Sequence, residues 1–147
     1  MIKKIILLTI VTLLMSFNYQ EKKKTYSLKI TVNNLRNSKG IVQVALYTKE
    51  GSIPDEKYEK YYAKAVAKIV HNSAIFTFKD LPEGKYAVNI LHDENENGKI
   101  DKKFIMPKEG IGFSNYKSIG FSNRPKFSKA SFQLNADTEK NIKIIYL

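Results

Sequence analysis

Apolar and polar side chains alternate with a period of two through most of this chain. That pattern restricts it to strands whose two faces meet different surroundings. Tyr26, Leu28, Ile30 and Val32 alternate with Ser27, Lys29, Thr31 and Asn33. Beyond Asn37-Ser38-Lys39-Gly40, a second strand is predicted over 41–47. A third runs over 63–70, with Ala65, Ala67 and Ile69 inward and Lys64 and Lys68 outward. His71-Asn72 has the length and residue types of a two-residue hairpin turn, and Ala74, Phe76 and Phe78 carry the return strand. After the turn Leu81-Pro82-Glu83-Gly84, a fifth strand carries Tyr86, Val88 and Ile90. Two more close the chain, with Ala130, Phe132 and Leu134 inward, then Ile142, Ile144 and Tyr146.

The expected fold is therefore all-β. It is a seven-stranded antiparallel β-sandwich, Ig-like or transthyretin-like, with one short helical crossover and a long loop. The crossover is placed at Ser52-Ile53-Pro54-Asp55, which has capping-box spacing, with Tyr58, Tyr61 and Tyr62 then sharing one face. The long loop covers 93–126, and so long a connection in a compact domain is usually functional or pinned by something. Within it Gly112-Phe113-Ser114-Asn115 recurs as Gly120-Phe121-Ser122-Asn123, which reads as two similar turns, each tucking a Phe into the core.

The N-terminus reads as an export signal over residues 1–20. Lys3 and Lys4 precede the apolar run Ile5 to Met15, followed by polar Ser16, Asn18 and Gln20. The run is too short to span a bilayer as a helix, so no stable membrane span is expected after cleavage. A retained anchor or a buried strand is the alternative. Residues 21–147 then form one domain, expected in the periplasm or outside the cell. The chain has no Cys. Packing must therefore stabilise it without disulfides, and an acylated lipoprotein Cys is ruled out.

The formal charge of +11 comes almost wholly from Lys, since Arg36 and Arg124 are the only arginines. Bidentate grips on phosphate or bases favour Arg, so nucleic acid is not an expected partner. Weak attraction to anionic polymers or lipid headgroups is the consequence expected of this charge.

The most chemically specific stretch is His92-Asp93-Glu94-Asn95-Glu96-Asn97-Gly98-Lys99-Ile100-Asp101. Counted from Asp93, it follows the first three-quarters of an EF-hand calcium loop, with Gly98 at the sharp bend. Asp93, Asn95 and Asn97 would offer side-chain oxygens, Lys99 its carbonyl, and Asp101 a direct or water-bridged carboxylate. Phe104 stands where an EF-hand closes with Glu, so Glu109 is the candidate to fold in, ahead of Glu83 and Asp80. With so few charges, a calcium dissociation constant on the order of 0.1–1 mM is expected. Asp, Asn and Gly also form polar turns that need no metal.

His92 shares the parity of Tyr86, Val88 and Ile90, which points its ring into the domain rim, where it would donate to a loop carbonyl. Zinc is not expected, because His71 is the only other His. Neither a Cys nucleophile nor a Gly-x-Ser-x-Gly elbow is present.

The segment Phe78-Lys79-Asp80-Leu81-Pro82-Glu83-Gly84-Lys85-Tyr86-Ala87-Val88 resembles the strand-turn-strand of carboxypeptidase-regulatory-like and transthyretin-like modules. Three further segments follow in order: His92 to Asp101, Pro107-Lys108-Glu109-Gly110-Ile111-Gly112-Phe113-Ser114-Asn115, and Arg124-Pro125-Lys126-Phe127 leading to Ala130-Ser131-Phe132. Together, across residues 26–147, the set resembles the exported bacterial family called domain of unknown function number 2141 (DUF2141). Two positions depart from that pattern: Glu96 stands where a Gly is expected, and Met106 where a Gly or small residue is. The resemblance implies an exported β-sandwich and brings no established catalytic residue.

The expected function is a non-enzymatic binding or accessory domain of the cell envelope, with calcium ordering residues 93–126. Its partner would be a cell-surface polymer or an envelope protein, met by a patch near Phe113, Asn115 and Phe121 with His92 at its rim. The alternative is a hydrolase acting on an envelope polymer through His92, Asp101 and Glu109, which requires all three around one cleft.

Overall fold

The computed structural model describes residues 23–120 and 122–147; the expected export signal over 1–20 and Phe121 lie outside the described residues. The chain is all-β, with two open sheets around a shared core. One sheet has the order β10-β1-β4, from Thr138–Lys143, Thr25–Asn33 and Ala74–Pro82. The other has the order β3-β2-β5-β8, from Ala63–Lys68, Ile41–Tyr47, Gly84–Asp93 and Gly110–Phe113, and β9 (Phe132–Leu134) pairs with the start of β5. A small hairpin, β6 (Lys102–Lys103) with β7 (Met106–Pro107), and a helical turn α1 (Phe127–Ala130) complete the elements.

Alternation produces the inter-sheet core. Leu28, Ile30 and Val32 of β1 meet Val42, Val44 and Leu46 of β2 and Val88 and Ile90 of β5, with Phe78, Leu134 and Ile142 closing the ends. The expected strands correspond to β1–β5, β9 and β10, the last two at shifted positions, and β6, β7 and β8 are additions within the expected long loop. Ala130 is not on a strand. It ends α1, where the i, i+3 spacing of Phe127 and Ala130 buries both on one face.

Three expectations about topology and local structure are corrected. The pairing is not antiparallel throughout, because β10 runs parallel to β1, with Leu28 opposite Thr138 and Val32 opposite Ile142. The chain leaves β9 in one sheet and crosses to the other, where Asp137 accepts the Ser27 N–H at 2.8 Å, so β10 enters beside β1 from the same end. The turn at His71-Asn72 forms, with φ of 50° and 56° and both bonds of the Val70–Ser73 bridge, but it hands the chain from one sheet to the other. The helical crossover at 52–62 does not form. Tyr58 takes φ 55°, outside the helical region, and the buried Asp55 carboxylate accepts the Lys60 N–H and the Tyr47 hydroxyl. Tyr58 is buried while Tyr61 and Tyr62 are exposed, so the three do not share a face.

A second apolar cluster covers the far face of the larger sheet. Ala45, Tyr47, Ala87 and Leu91 are buried there beneath Ile53, Tyr58, Tyr116, Phe127 and Ala130. Ile53 and Tyr58 from the segment before β3, with Ile100, Tyr116, Ile119, Phe127 and Ala130 from the segments flanking β8, thus form a third layer, and β5 is buried on both faces along nearly its whole length.

Candidate functional site

The candidate site lies at the end of β5, between β2 and β8. Ile41 pairs with Asp93 and Val42 with His92, so both site residues belong to a rigid ladder and both are fully buried. The Asp93 carboxylate organises the following turn. One oxygen accepts Gln43 Nε2 at 2.9 Å and the Gly98 N–H at 2.8 Å, and the other accepts the Asn97 N–H at 3.1 Å. The chain curls through two left-handed residues, Glu96 at φ 60° and Gly98 at φ 82°. Asn95 Oδ1 accepts the Asn97 N–H and Asn97 Oδ1 the Lys99 N–H, at 3.2 and 3.0 Å. Both side-chain amides donate to the Asp101 carboxylate, at 2.7 and 2.9 Å. Asn95, Asn97 and Asp101 therefore meet beside Asp93, and rotating each amide by half a turn presents its oxygen instead. The amides lower the Asp101 pKa, that of Asn97 first and Asn95 next.

Glu109 does fold back onto this loop. It is buried just before β8, where Oε1 accepts the Glu94 N–H at 2.9 Å and Oε2 the Asp101 N–H at 3.2 Å, so it ties together both flanks of the turn. Burial is the main cause raising its pKa; the two backbone donors oppose it, and the charges of Asp93 and Asp101 add to it. The β6–β7 hairpin makes this return, with the Lys108 N–H bonding the Asp101 carbonyl at 2.8 Å. Phe104 sits exposed at the hairpin tip, away from the loop's interior. Among the described residues, no three His, Cys, Asp or Glu side chains converge as a metal cluster. The donor set at this loop is a mixture of Asn and Asp oxygens.

A second network surrounds His92; the bond of its ring to a loop carbonyl was expected from the sequence, and the rest of the network was not. Its Nε2 lies 2.9 Å from the Lys39 carbonyl and its Nδ1 2.8 Å from the Tyr146 hydroxyl. A carbonyl only accepts, so in the neutral ring Nε2 carries the proton and Nδ1 accepts from Tyr146. Tyr146 in turn accepts the Arg36 N–H at 3.0 Å. The Arg36 guanidinium grips Glu94 through two bonds of 2.6 Å and lies 4.8 Å from the Tyr146 ring centre. Asn37 adds a third donor to Glu94 at 2.9 Å. Arg36 holds the Glu94 carboxyl down at about 2, with Asn37 helping and partial burial opposing. The scarcity of Arg in a Lys-rich chain was the available signal for Arg36, because a planar fork suits a carboxylate better than an ammonium does.

The residues of the hydrolase alternative are engaged elsewhere. Both His92 nitrogens have partners, Glu109 holds two backbone N–H groups, and Asp101 takes the two Asn amides. Phe113 is buried in the second cluster. Asn115 is exposed, but its amide donates to the Ala130 and Ser131 carbonyls at 3.1 and 3.0 Å, clamping the end of α1. Ser114 beside it donates to the Ala130 carbonyl and accepts the Val88 N–H. In the second copy of the repeat the Asn123 N–H bonds the Gly120 carbonyl, whereas in the first copy Gly112 and Phe113 end β8 and Ser114 and Asn115 follow it.

A sequence model of the family described as "Uncharacterized protein conserved in bacteria (DUF2141)" matches residues 30–143. The chain belongs to the DUF2141 family. Neither a curated protein nor a solved structure matches it.

In this DUF2141 chain an apolar groove of about 410 Å³ lies under the β6–β7 hairpin. Ile100, Ile105, Met106, Ile111, Phe113 and Ile119 contribute to its walls. His92, Asp101 and Glu109 do not line it. Of the residues expected to form a patch, Phe113 lines this groove, while Asn115 and His92 do not.

Proposed function

We propose that this DUF2141 protein is an exported, non-enzymatic binding domain of the cell envelope, an Ig-like or transthyretin-like sandwich with a calcium-organised loop. The observation that carries the proposal is the meeting of Asp93, Asn95, Asn97 and Asp101 in one turn, with Glu109 tying both its flanks. Calcium prefers six to eight oxygens in a flexible cage. Asp93, Asn95, Asn97 and Asp101 would supply side-chain oxygens, and Lys99 its carbonyl. Glu109 would act on the ion through the backbone it holds. Few full charges face the ion, which keeps the expected dissociation constant on the order of 0.1–1 mM. The groove under the hairpin is the surface for a ligand, a cell-surface polymer or another envelope protein.

Calorimetric titration with calcium chloride, paired with melts in calcium and in chelator, tests the loop. At tenfold saturation the ion should add about 1.4 kcal/mol of stability, raising the melting temperature by roughly 3–6 °C. Asp101→Asn should abolish most of the heat without unfolding the chain, because Asp101 is on the surface side of the loop. No heat and no shift at several millimolar calcium ends the calcium reading.

A further inference from the structure

We infer that the β6–β7 hairpin is a membrane-docking finger that inserts Phe104 and Ile105 into an anionic lipid surface. Phe104 is 92 % exposed and Ile105 71 %, side by side at the tip of a two-residue loop, with Met106 next to them at 40 %. Isolated exposed apolar residues need no explanation, but Phe104 and Ile105 at the apex of the hairpin, with Met106 beside them on β7, form a pointed apolar surface at the rim of the groove. Folding gains nothing from Phe104. It buries almost none of its ring, and it sits at φ 60°, where Gly or Asn would be less strained.

Charge identifies the occupant. Residues 99–108 carry Lys99, Lys102, Lys103 and Lys108 against one acid, the half-buried Asp101. All four lysines are exposed; Lys102 pairs with Glu56. An apolar tip with lysines just behind it matches a bilayer whose headgroups are anionic: the rings enter the acyl boundary and the ammonium groups stay at headgroup depth. The overall charge of +11 adds attraction before contact. A second copy of the chain fits less well, because three side chains at a point fall far short of the roughly 800 Å² per partner of a stable interface. The proposal does not depend on calcium in the neighbouring loop.

The test is co-sedimentation of the full chain with vesicles of phosphatidylglycerol and phosphatidylcholine (3:7), against pure phosphatidylcholine, with calcium and with chelator. Using the full chain makes any contribution of the apolar run at 5–15 common to every variant. Wild type should bind the anionic vesicles and lose binding as salt rises. The double variant Phe104→Asn/Ile105→Ser should lose at least about tenfold in partitioning, the loss expected for removing two apolar side chains from the acyl boundary. Its melting temperature should be unchanged or higher, because Asn suits the turn. Lys103→Gln and Lys108→Gln should each cost about fivefold. The chain has no Trp, so Phe104→Trp supplies a single fluorescent reporter that should shift to the blue and be quenched by brominated lipid. Equal binding by the double variant, or an indole of the Phe104→Trp variant that brominated lipid fails to quench, overturns the proposal. So does concentration-dependent self-association that the tip variant abolishes in the absence of vesicle binding. Binding that survives chelator while calorimetry shows no heat would sink only the calcium reading.

Discussion

Replacing Arg36 by Met separates the charge of its pair with Glu94 from the packing of its stem. Glu94 is held at about 2, against an ordinary value of 4.5. At about 1.4 kcal/mol for each tenfold change in acidity, that displacement sets a ceiling of roughly 3 kcal/mol. The Glu94 side chain is 21 % exposed and Arg36 40 %, so solvent screens the pair. We discount the ceiling to about 1.5 kcal/mol, above an ordinary surface pair because the grip is bidentate. Loss of the guanidinium from the Tyr146 face should add about 0.5–1 kcal/mol that does not vary with acidity. The folded pKa lies below the unfolded one, so the charge contribution is complete above about pH 4.5 and is lost as pH falls towards 2. Urea titrations followed by far-ultraviolet circular dichroism should show Arg36→Met less stable by about 2 kcal/mol at pH 7. By pH 3 less than half of the charge contribution should remain. A deficit of the same size at both pH values would refute this account and assign the whole effect to packing.

Three further variants probe backbone and burial. Tyr58→Phe should stabilise the protein by about 1 kcal/mol, since the buried hydroxyl has no partner among the described residues; a loss of stability would point to a bound water. Glu96→Gly should raise stability by roughly 0.5–1 kcal/mol, because relief of the left-handed φ of 60° exceeds the extra freedom glycine brings to the unfolded chain. A drop in the urea midpoint would contradict it. Gly40→Ala should cost about 3 kcal/mol or more, because Gly40 has φ 68° and an added Cβ would collide with the Asp93 carbonyl oxygen. A near-neutral midpoint would show that β5 can move away.

Much of the candidate site was legible because its logic is local. Asp93, Asn95, Asn97, Gly98 and Asp101 are close in sequence, and the turn they form is closed by their own side chains and N–H groups. Glu109 could be named as the carboxylate folding in because a hairpin returns the chain after a few residues. The Arg36 clamp was not legible, since its partners Glu94 and Tyr146 lie on segments far from it in the chain. The exposed hairpin tip was hidden too. Phe104 entered only as the residue that breaks an EF-hand pattern, and its exposure depends on where the β6–β7 hairpin projects.

The division between sequence and tertiary structure is plainest on β5. Alternation alone marked Tyr86, Val88 and Ile90 as one buried face, because side-chain direction in a strand follows from its own backbone. That Ala87 and Leu91 are buried on the opposite face was decided by the segments before β3 and flanking β8 closing over the sheet. The sequence by itself determined the first five strands, the turns at 71–72 and 81–84, and which oxygens would share one loop. Only the tertiary structure decided sheet membership, the parallel β1–β10 pairing and the third layer, because those depend on contacts between segments far apart in the chain.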